Sequence, residues 1–543
     1  RRDKFAYAAR VLFYSHFLWR LIRILLSFVL THFFTMDLSH VLSYANLSRL
    51  VKDTEYAVRG RIVEEAQKIV KAGKAKDPFE MIFCNIGNPQ SLGQLPITFF
   101  RSVLSMCMIP TPLREKLKSL GEEATGLPAD VFKRAEKYHE IMAHGFGAYS
   151  DSRGFAGIRE EVAAFIDERD KMEKLIADNP SVQLNRTTMD DVFLTDGASP
   201  GIQKVLQLVI ADPSVGVMLP IPQYPLYSAT VTLLGGKIVP YYMAEDVEVE
   251  GEKRWSLREE ELEKEYEKAV SEGTKVRALV VINPGNPTGQ CLTEKDMRLI
   301  VDFCQKKRMV LLADEVYQTN IYRKGAKFVS FRRIVEEMTI EDYPRFSNFE
   351  LFSFHSVSKG MLGECGLRGG YCHVRGIAPE VIDELYKLMS IGLCSNTVGQ
   401  VCMGLMVNPP KPGDDSYELY LKEYDDQFNS LARRAKTLSA ALNKMEGITC
   451  NDIEGAMYAF PRVSIPEWRQ QEAKDLGMSP DLHYCLFILR NAHIVIVNGS
   501  GFRQEEGTFH FRTTILPSEK DIDRVIERLG NANREYMTTH KQL

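Results

Sequence analysis

The stretch Ser356-Val-Ser-Lys359-Gly360 follows the mostly apolar run 351–354, and Arg368 comes nine residues after the lysine. The run predicts a buried strand that delivers Lys359 to its end. A lysine in that place can form a Schiff base with an aldehyde. The hydroxyl of Ser356 and the guanidinium of Arg368 suit a phosphate on the same molecule. A lone lysine after a strand is usually a surface charge, so the other motifs decide whether this site exists.

Apolar runs alternate with helical patterns between about residues 150 and 405. The strand-like runs are 192–195, 216–220, 278–282, 309–313 and 351–354. This alternation predicts parallel βαβ units with helices on both faces of one sheet. Continuous apolar runs also fit strands that are buried on both faces. The predicted fold is therefore α/β, with a large, mostly parallel, doubly wound sheet.

The segment Pro409-Pro-Lys-Pro412-Gly413 is the clearest internal break. A long charged helix, roughly 417–445, follows it, and shorter strands are expected near 457–461, 494–498 and 508–513. Mixed helices and short strands of this kind predict a smaller α+β domain after the large sheet.

Two glycine-containing motifs follow other predicted strands. In Thr195-Asp-Gly197-Ala198-Ser199-Pro200 we expect Ser199 to cap a helix whose free N–H groups can bind an anion. By itself this motif is also consistent with an ordinary capped helix. Asn283-Pro-Gly-Asn286-Pro-Thr-Gly289 specifies an unusual turn that can present amide groups. Ligands gather at the carboxyl ends of parallel strands, so both motifs belong at the same edge as Lys359.

An aspartate closes a further predicted strand in Ala313-Asp314-Glu-Val-Tyr317. A buried carboxylate is costly unless a cation pairs with it, and a protonated pyridine nitrogen would be such a cation. Tyr317 can point into the same pocket. A structural ion pair would explain Asp314 equally well if this motif stood alone.

Together and in this order, the four motifs resemble the fold-type I family of aminotransferases that depend on pyridoxal 5'-phosphate. The resemblance covers about residues 50–535 and is closer still to the alanine aminotransferases. The segments that carry this closer resemblance are Glu55-Tyr-Ala-Val-Arg-Gly60, Asn85-Ile-Gly-Asn-Pro-Gln90, Tyr149-Ser-Asp-Ser-Arg-Gly-Phe155, Pro222-Gln-Tyr224-Pro-Leu-Tyr227 and Gly363-Glu-Cys-Gly-Leu-Arg-Gly-Gly-Tyr371.

The resemblance implies a role for each matching residue. Lys359 would form the internal aldimine and move the proton, Asp314 would hold the pyridine nitrogen, and Tyr224 would stack on the ring. These three are the expected catalytic residues. The expected cofactor contacts are Ala198, Ser199, Tyr224, Asn286, Asp314, Tyr317, Ser356, Lys359, Arg368 and, across a homodimer interface, Tyr149. The expected substrate contacts are Gly87, Asn286 and Arg512.

The resemblance also implies a division of the chain. Residues 149–408 would form the large cofactor-binding domain, and residues 409–543 would form the small domain. Residues 36–148 would contribute to the small domain and to the dimer contact. Residues 1–35 carry six basic side chains against one acid, and we expect a non-globular extension there. We favour translated sequence upstream of a start at Met36, and an organellar targeting segment is the alternative.

Composition excludes other classes of function. The formal net charge is −4, and no basic block follows the first residues, which argues against nucleic acid as the main partner. The ten cysteines contain no CxxC pair and the chain has no HExxH motif, so we expect no metal site. Scattered thiols fit a reducing compartment, and we expect the cytoplasm, with the mitochondrion as the alternative.

The expected reaction is transfer of the amino group of L-alanine to 2-oxoglutarate, giving pyruvate and L-glutamate. Another aminotransferase of the same fold remains the alternative, with glutamate:glyoxylate or aromatic substrates. A non-enzymatic, aminotransferase-like regulator would need a DNA-binding domain before the fold, and residues 1–80 do not provide the basic helix for one.

Overall fold

The computed structural model describes residues 18–25, 42–56, 60–72, 81–249 and 252–539. The chain divides into two compact units, Arg1–Asp53 and Thr54–Leu543. In the first unit, residues 18–25 are helical and short helices span Tyr44–Asn46 and Arg49–Asp53. The extension predicted at residues 1–35 lies outside the described residues except for 18–25.

A membrane-spanning helix is not found in the described part of the chain, where every helix is too short or too polar to cross a bilayer.

The second unit is built on one large sheet and several small ones. The strands, in chain order, are β1 (Ile82–Phe83), β2 (Val192–Thr195), β3 (Val215–Ile221), β4 (Lys237–Tyr242), β5 (Ala244–Val249), β6 (Glu252–Ser256), β7 (Lys275–Ile282), β8 (Val310–Asp314), β9 (Leu351–Ser356), β10 (Gly370–Arg375), β11 (Ile448–Thr449), β12 (Tyr458–Ala459), β13 (Arg462–Val463), β14 (Ile494–Val495), β15 (Val497–Asn498) and β16 (Phe511–Thr514).

Seven strands form the large sheet in the order β2-β10-β9-β8-β7-β3-β4. The pairs β9–β8, β8–β7, β7–β3 and β3–β4 are parallel, whereas β10 runs antiparallel to both of its neighbours. The prediction of an α/β fold with a large, mostly parallel sheet is therefore confirmed.

Helices surround this sheet. The α-helices of the second unit are Arg61–Lys71, Thr98–Met108, Thr111–Thr125, Ala129–Ile141, Ala156–Arg169, Met172–Asp178, Ala198–Val209, Leu226–Leu233, Glu259–Ser271, Glu294–Lys307, Phe331–Glu341, Tyr343–Phe346, Pro379–Ser390, Thr397–Val407, Tyr417–Leu442, Glu467–Asp475, Pro480–Ala492 and Glu519–Thr538.

The central strands are buried on both faces, which explains their continuous apolar sequences. Along β7, Val280 and Ile282 pack into one hydrophobic core, whereas Leu279 and Val281 pack into another. Successive side chains point to opposite faces of a strand, so both faces must be covered by helices. This burial fixes the strand ends, where the polar motifs begin.

Three sequence expectations need correction or completion. The helix after β2 begins at Ala198 with Gly197 at its cap, so the predicted cap at Ser199 is wrong. Gly197 has a φ of 82°, a backbone conformation that glycine adopts at little cost. The helix can therefore begin directly after Gly197 rather than after Ser199. The long helix ends at Leu442 rather than near 445. The strands β4 and β10 were not predicted, because polar or glycine residues interrupt their apolar patterns.

Short strands tie the chain before the large sheet to the chain after it. β1 pairs in parallel with β14, and β12, β16 and β15 form a three-stranded antiparallel sheet. These strands bring the loop that follows β1 close to β12 and β16. The loop and the two strands carry Gly87, Tyr458 and Arg512.

Candidate active site

A cavity of about 310 Å³ opens at the carboxyl ends of β7, β8 and β9. All the predicted site residues except Tyr149 line it, namely Gly87, Ala198, Ser199, Tyr224, Asn286, Asp314, Tyr317, Ser356, Lys359, Arg368 and Arg512. Tyr149 is 76% exposed and is not part of this lining.

Lys359 extends its amine across the cavity towards the loop after β1. Its Nζ donates a hydrogen bond of 2.6 Å to the carbonyl oxygen of Gly87. The next residue, Gly360, is anchored by a 2.9 Å bond from its N–H to Oδ1 of Asn320. The lysine therefore leaves a fixed backbone, and its amine is aimed by the Gly87 carbonyl.

Gly87 has no space for a side chain. A Cβ at this position would lie 1.9 Å from the hydroxyl oxygen of Tyr458 and 3.0 Å from Nζ of Lys359. Real Cβ atoms do not approach other atoms so closely. A glycine is therefore required where this loop passes the lysine.

Asp314 is the last residue of β8 and is buried beneath the cavity. The Tyr227 hydroxyl donates a 2.8 Å hydrogen bond to its Oδ2, and the N–H of Val316 lies 3.4 Å from its Oδ1. Burial raises the pKa of Asp314 to about 6, against the opposing effects of these two donors and of the Lys359 charge. Within the described ranges, no lysine or arginine forms an ion pair with this carboxylate.

The start of the helix Ala198–Val209 forms a cradle on another side of the cavity. Arg368 donates to the carbonyl oxygens of Asp196 (2.6 Å) and Cys365 (3.0 Å), which fixes its guanidinium beside Gly197. A Cβ at Gly197 would lie 2.6 Å from Nη2 of Arg368. A helix start, an adjacent arginine and the nearby hydroxyls of Ser199 and Ser356 together suit a phosphate.

Tyr224 forms the cavity wall together with Tyr56. Their hydroxyl oxygens are 2.9 Å apart in a hydrogen bond, and their rings meet edge to face at 6.5 Å. Burial, followed by the neighbouring Tyr56, raises the pKa of Tyr224 well above its usual value. Its hydroxyl is therefore a neutral group.

Arg512 lies on β16 and is 1% exposed, although by composition alone it resembles an ordinary surface arginine. Its guanidinium donates to the carbonyl oxygen of Asn85 (2.5 Å) and to Oδ1 of Asn286 (3.2 Å). Its Nε–H is buried without a hydrogen-bond partner. A buried, unfilled donor on a planar fork suits a carboxylate ligand.

Sequence reasoning missed three tyrosines of this region. Tyr227 had a local signal, because it lies three residues after Tyr224 at the start of the helix Leu226–Leu233. Tyr56 belongs to the segment 55–60, which resembles the alanine aminotransferases. No feature of the local sequence indicates that it contacts Tyr224. Tyr458 had no local signal either, because only the pairing of β12 with β16 brings it beside Arg512.

The cavity therefore combines three different binding groups. It offers a primary amine at Lys359, a buried carboxylate at Asp314 that forms no ion pair within the described ranges, and an anion cradle beside Arg368. A phosphorylated aldehyde with a basic ring nitrogen would satisfy all three. The buried Arg512 guanidinium would suit the carboxylate of a second molecule.

Known proteins are similar to this chain in sequence. Residues 119–529 match the family model described as Aminotransferase class I and II. Alanine aminotransferase 1, mitochondrial, of Arabidopsis thaliana is 48% identical over 490 residues, which cover 89% of this chain and 85% of that protein. Glutamate–glyoxylate aminotransferase 2 of the same plant is 44% identical over 501 residues, covering 92% of this chain and 97% of that protein.

A solved structure shares the fold. The alanine aminotransferase from Pyrococcus furiosus superposes with a TM-score of 0.67 at 22% identity, covering 90% of this chain and 100% of that one. The match to the family model over most of the chain and the two relatives above 40% identity decide the assignment. The chain belongs to the aminotransferase class I and II family and is an aminotransferase.

Proposed function

We propose that this chain transfers the amino group of L-alanine to 2-oxoglutarate with pyridoxal 5'-phosphate as cofactor. The observation that carries the proposal is the arrangement of Lys359, Asp314 and Arg512 around one cavity. The amine, the buried carboxylate and the buried guanidinium correspond to three needs of the reaction. The similarity to alanine aminotransferases supports the choice of substrates.

The cofactor fits the groups that the chain presents. Lys359 would bind the aldehyde, Asp314 the ring nitrogen, and Ala198, Ser199, Ser356 and Arg368 the phosphate. Asn286 and Tyr317 would hold the phenolic oxygen, and Tyr224 would stack on the ring. When bound, pyridoxal phosphate supplies an aldehyde for the amino group and a ring that withdraws electrons from the α-carbon.

Lys359 and Asp314 divide the proton chemistry between them. The Lys359 amine takes the proton from the α-carbon of the amino-acid substrate. In the second half-reaction, which runs in reverse, it returns a proton to the α-carbon of the new amino acid. The Gly87 carbonyl, which accepts a bond from Nζ, holds the amine in place. Asp314, as a carboxylate in a buried site, would keep a proton on the ring nitrogen, because the charged pair would offset the cost of its burial.

Arg512 would orient both substrates by the carboxylate they share. Its guanidinium already donates to Oδ1 of Asn286, and its Nε–H has no hydrogen-bond partner. Alanine has only a methyl group beyond the α-carbon, whereas glutamate has a second carboxylate. We propose that the wall made by Gly87 and Tyr224 selects against aromatic side chains.

A panel of donors and acceptors tests the proposal. With 2-oxoglutarate as acceptor, kcat/KM should be far higher for alanine than for tyrosine or phenylalanine. The similarity to glutamate–glyoxylate aminotransferases makes glyoxylate the second acceptor to compare, with glutamate as donor. A preference for an aromatic donor would contradict the alanine assignment, and a preference for glyoxylate would replace it.

We also propose that the active unit is a homodimer in which Tyr149 reaches the phosphate of the neighbouring site. Its 76% exposure in the single chain leaves the side chain available for such a contact. Subunit mixing tests this. Parents carrying Tyr149→Phe or Lys359→Ala should form hybrids with one intact site. Hybrids with no more activity than the parents would contradict the shared site.

For localisation we propose the cytoplasm, with the mitochondrion as the alternative. All ten cysteines are free thiols, which supports a reducing compartment. The Arabidopsis thaliana relative carries the word mitochondrial in its name. Imaging of the full chain with a C-terminal fluorescent tag distinguishes the two compartments.

A further inference from the structure

Tyr458, on the short strand β12, lies close to two cationic side chains of the cavity, Arg512 and Lys359. The side chain is buried and lines the cavity. The guanidinium carbon of Arg512 lies 4.3 Å from the centre of its ring. Its ring therefore supports the proposed carboxylate-binding group.

The Arg512 guanidinium rests on two aromatic rings. Phe502 supplies the second, with the guanidinium carbon 4.5 Å from its centre. Arginine over an aromatic face gains stabilisation that grows when water is excluded. The guanidinium carbon lies over both rings, while its N–H groups donate to Asn85 and Asn286 and its Nε–H is left for a ligand. This arrangement fixes the plane of the fork before a substrate arrives.

The hydroxyl of Tyr458 points to the other end of the site. Its oxygen lies 3.5 Å from the hydroxyl of Tyr317, which donates to it, and the two rings meet edge to face at 6.2 Å. A Cβ on Gly87 would be 1.9 Å from this oxygen and 3.0 Å from Nζ of Lys359. The hydroxyl oxygen of Tyr458 and Nζ of Lys359 are therefore no more than about 5 Å apart.

Charge acts on this hydroxyl as well. Burial opposes ionisation of Tyr458, but the positive charges of Lys359 and Arg512 and the bond from Tyr317 outweigh it, so the pKa lies below its usual value. Burial raises the pKa of the neighbouring Tyr317 well above its usual value. The two phenols are therefore unequal, with Tyr317 the donor and Tyr458 the acceptor.

We propose that Tyr458 is a positioning residue for both ends of the substrate site. Its ring holds the Arg512 guanidinium in the plane that receives the α-carboxylate, and its hydroxyl holds Tyr317 beside Lys359. The proposal rests on the proposed function for its substrates. It divides one side chain into two separable parts, a ring that acts on binding and a hydroxyl that acts on turnover.

Two substitutions separate these parts. Tyr458→Phe keeps the ring and removes the hydroxyl, whereas Tyr458→Leu removes both. Tyr484 provides matched controls, because it is equally buried, its hydroxyl donates to Asn533, and it stacks on Phe511 next to Arg512 without lining the cavity. Tyr484→Phe and Tyr484→Leu therefore report the structural cost of the same changes.

The first measurement is steady-state kinetics of the four holoenzymes. Tyr458→Phe should lower kcat about fivefold and leave KM for alanine and 2-oxoglutarate within about twofold. Tyr458→Leu should in addition raise both KM values about tenfold, because both substrates use the same carboxylate grip. The Tyr484 variants should change neither parameter by more than about twofold.

The second measurement requires no turnover. Propionate has the carboxylate but neither an amino nor an oxo group, so it can only bind. Calorimetric titration, with and without bound cofactor, should give a Kd about tenfold weaker for Tyr458→Leu and unchanged for Tyr458→Phe. An unchanged propionate Kd in Tyr458→Leu, or an equal weakening in Tyr484→Leu, would overturn the proposal. A wild-type chain that binds propionate but does not turn over alanine would contradict only the proposed function.

Discussion

Two buried aspartates of this protein have opposite surroundings. Asp170, after the helix Ala156–Arg169, accepts two 2.8 Å bonds from Arg169 and one of 2.8 Å from Ser330, and Arg332 lies 3.4 Å away. Burial works against its ionisation, but Arg169 and these further partners hold its pKa below the usual value. Asp314 is buried to a similar degree and has Tyr227 and a backbone N–H instead.

The difference indicates what each carboxylate is for. Asp170 receives its cations from the folded chain, so its charge is part of the structure. Asp314 receives none from the described residues, and burial raises its pKa to about 6. A buried charge without a partner destabilises a protein unless a ligand supplies the partner. We therefore propose that Asp314 pairs with a cation that arrives with a bound molecule, whereas Asp170 pairs with cations of the chain itself.

The largest effect is expected at the lysine that faces Asp314 across the cavity. Lys359→Ala should reduce alanine–2-oxoglutarate turnover to the uncatalysed background, because Lys359 is the only lysine among the described residues that line the cavity. The melting temperature should stay close to that of the wild type. Coupled detection of pyruvate measures the loss. Appreciable turnover by this variant would show that the chemistry lies elsewhere.

The two aspartates should respond oppositely to neutralisation. Asp314→Asn should lower kcat about a thousandfold while the protein stays folded, because an amide cannot keep a proton on the ring nitrogen. Asp170→Asn should instead cost about 3 kcal/mol of unfolding free energy, since it takes the carboxylate away from the buried Arg169 and leaves Arg332 with Asp167 alone. Denaturant titration and kinetics on both variants measure the contrast. If the two variants exchanged these phenotypes, the comparison would be wrong.

Stability without cofactor should also depend on pH with opposite signs. The pKa of Asp314 is raised, so its carboxylate costs free energy above about pH 6 and nothing below about pH 4. Asp314→Asn should therefore stabilise the cofactor-free protein by about 3 kcal/mol near pH 8, and the gain should vanish by about pH 4. The pKa of Asp170 is lowered instead. The wild type should therefore be more stable than Asp170→Asn near neutral pH, and this difference in stability should disappear in acid. A pH-independent effect of Asp314→Asn would contradict this.

The smallest effect is expected from the partner that Asp314 does have. The Tyr227 bond favours the carboxylate form, so Tyr227→Phe should raise the pKa of Asp314 further. We expect a loss in kcat/KM of about fivefold that becomes larger as the pH falls. Tyr241→Phe is a suitable control, because that buried hydroxyl bonds the Val280 carbonyl instead. A loss that grows towards alkaline pH would have the wrong sign.

The sequence predicted the sheet and most residues at its edge, for a physical reason. Strands that are buried on both faces are mostly apolar, so Asp314 stands out as the one polar residue of β8, at its end, and Ser356 ends the mostly apolar β9. Those strand ends then meet in space because parallel strands share one edge.

Features that depend on distant pairings could not be predicted in this way. Arg169-Asp170 reads as a polar helix end, and only Arg332, more than 160 residues later, reveals a buried network. Tyr458 contacts Arg512 through the pairing of two-residue and four-residue strands, which leave almost no periodicity in the sequence. The environment of a residue, unlike its element, is set by contacts that the local sequence does not contain.

The protonation of the bound cofactor tests the role of Asp314 most directly. With pyridoxal phosphate labelled with ¹⁵N in the ring, the nitrogen chemical shift in the wild-type protein should be that of a protonated pyridinium at neutral pH. In Asp314→Asn it should change to that of a neutral pyridine, and in a folded Asp170→Asn variant it should not change. A neutral ring nitrogen in the wild type, or a pyridinium that persists in Asp314→Asn, would contradict the account.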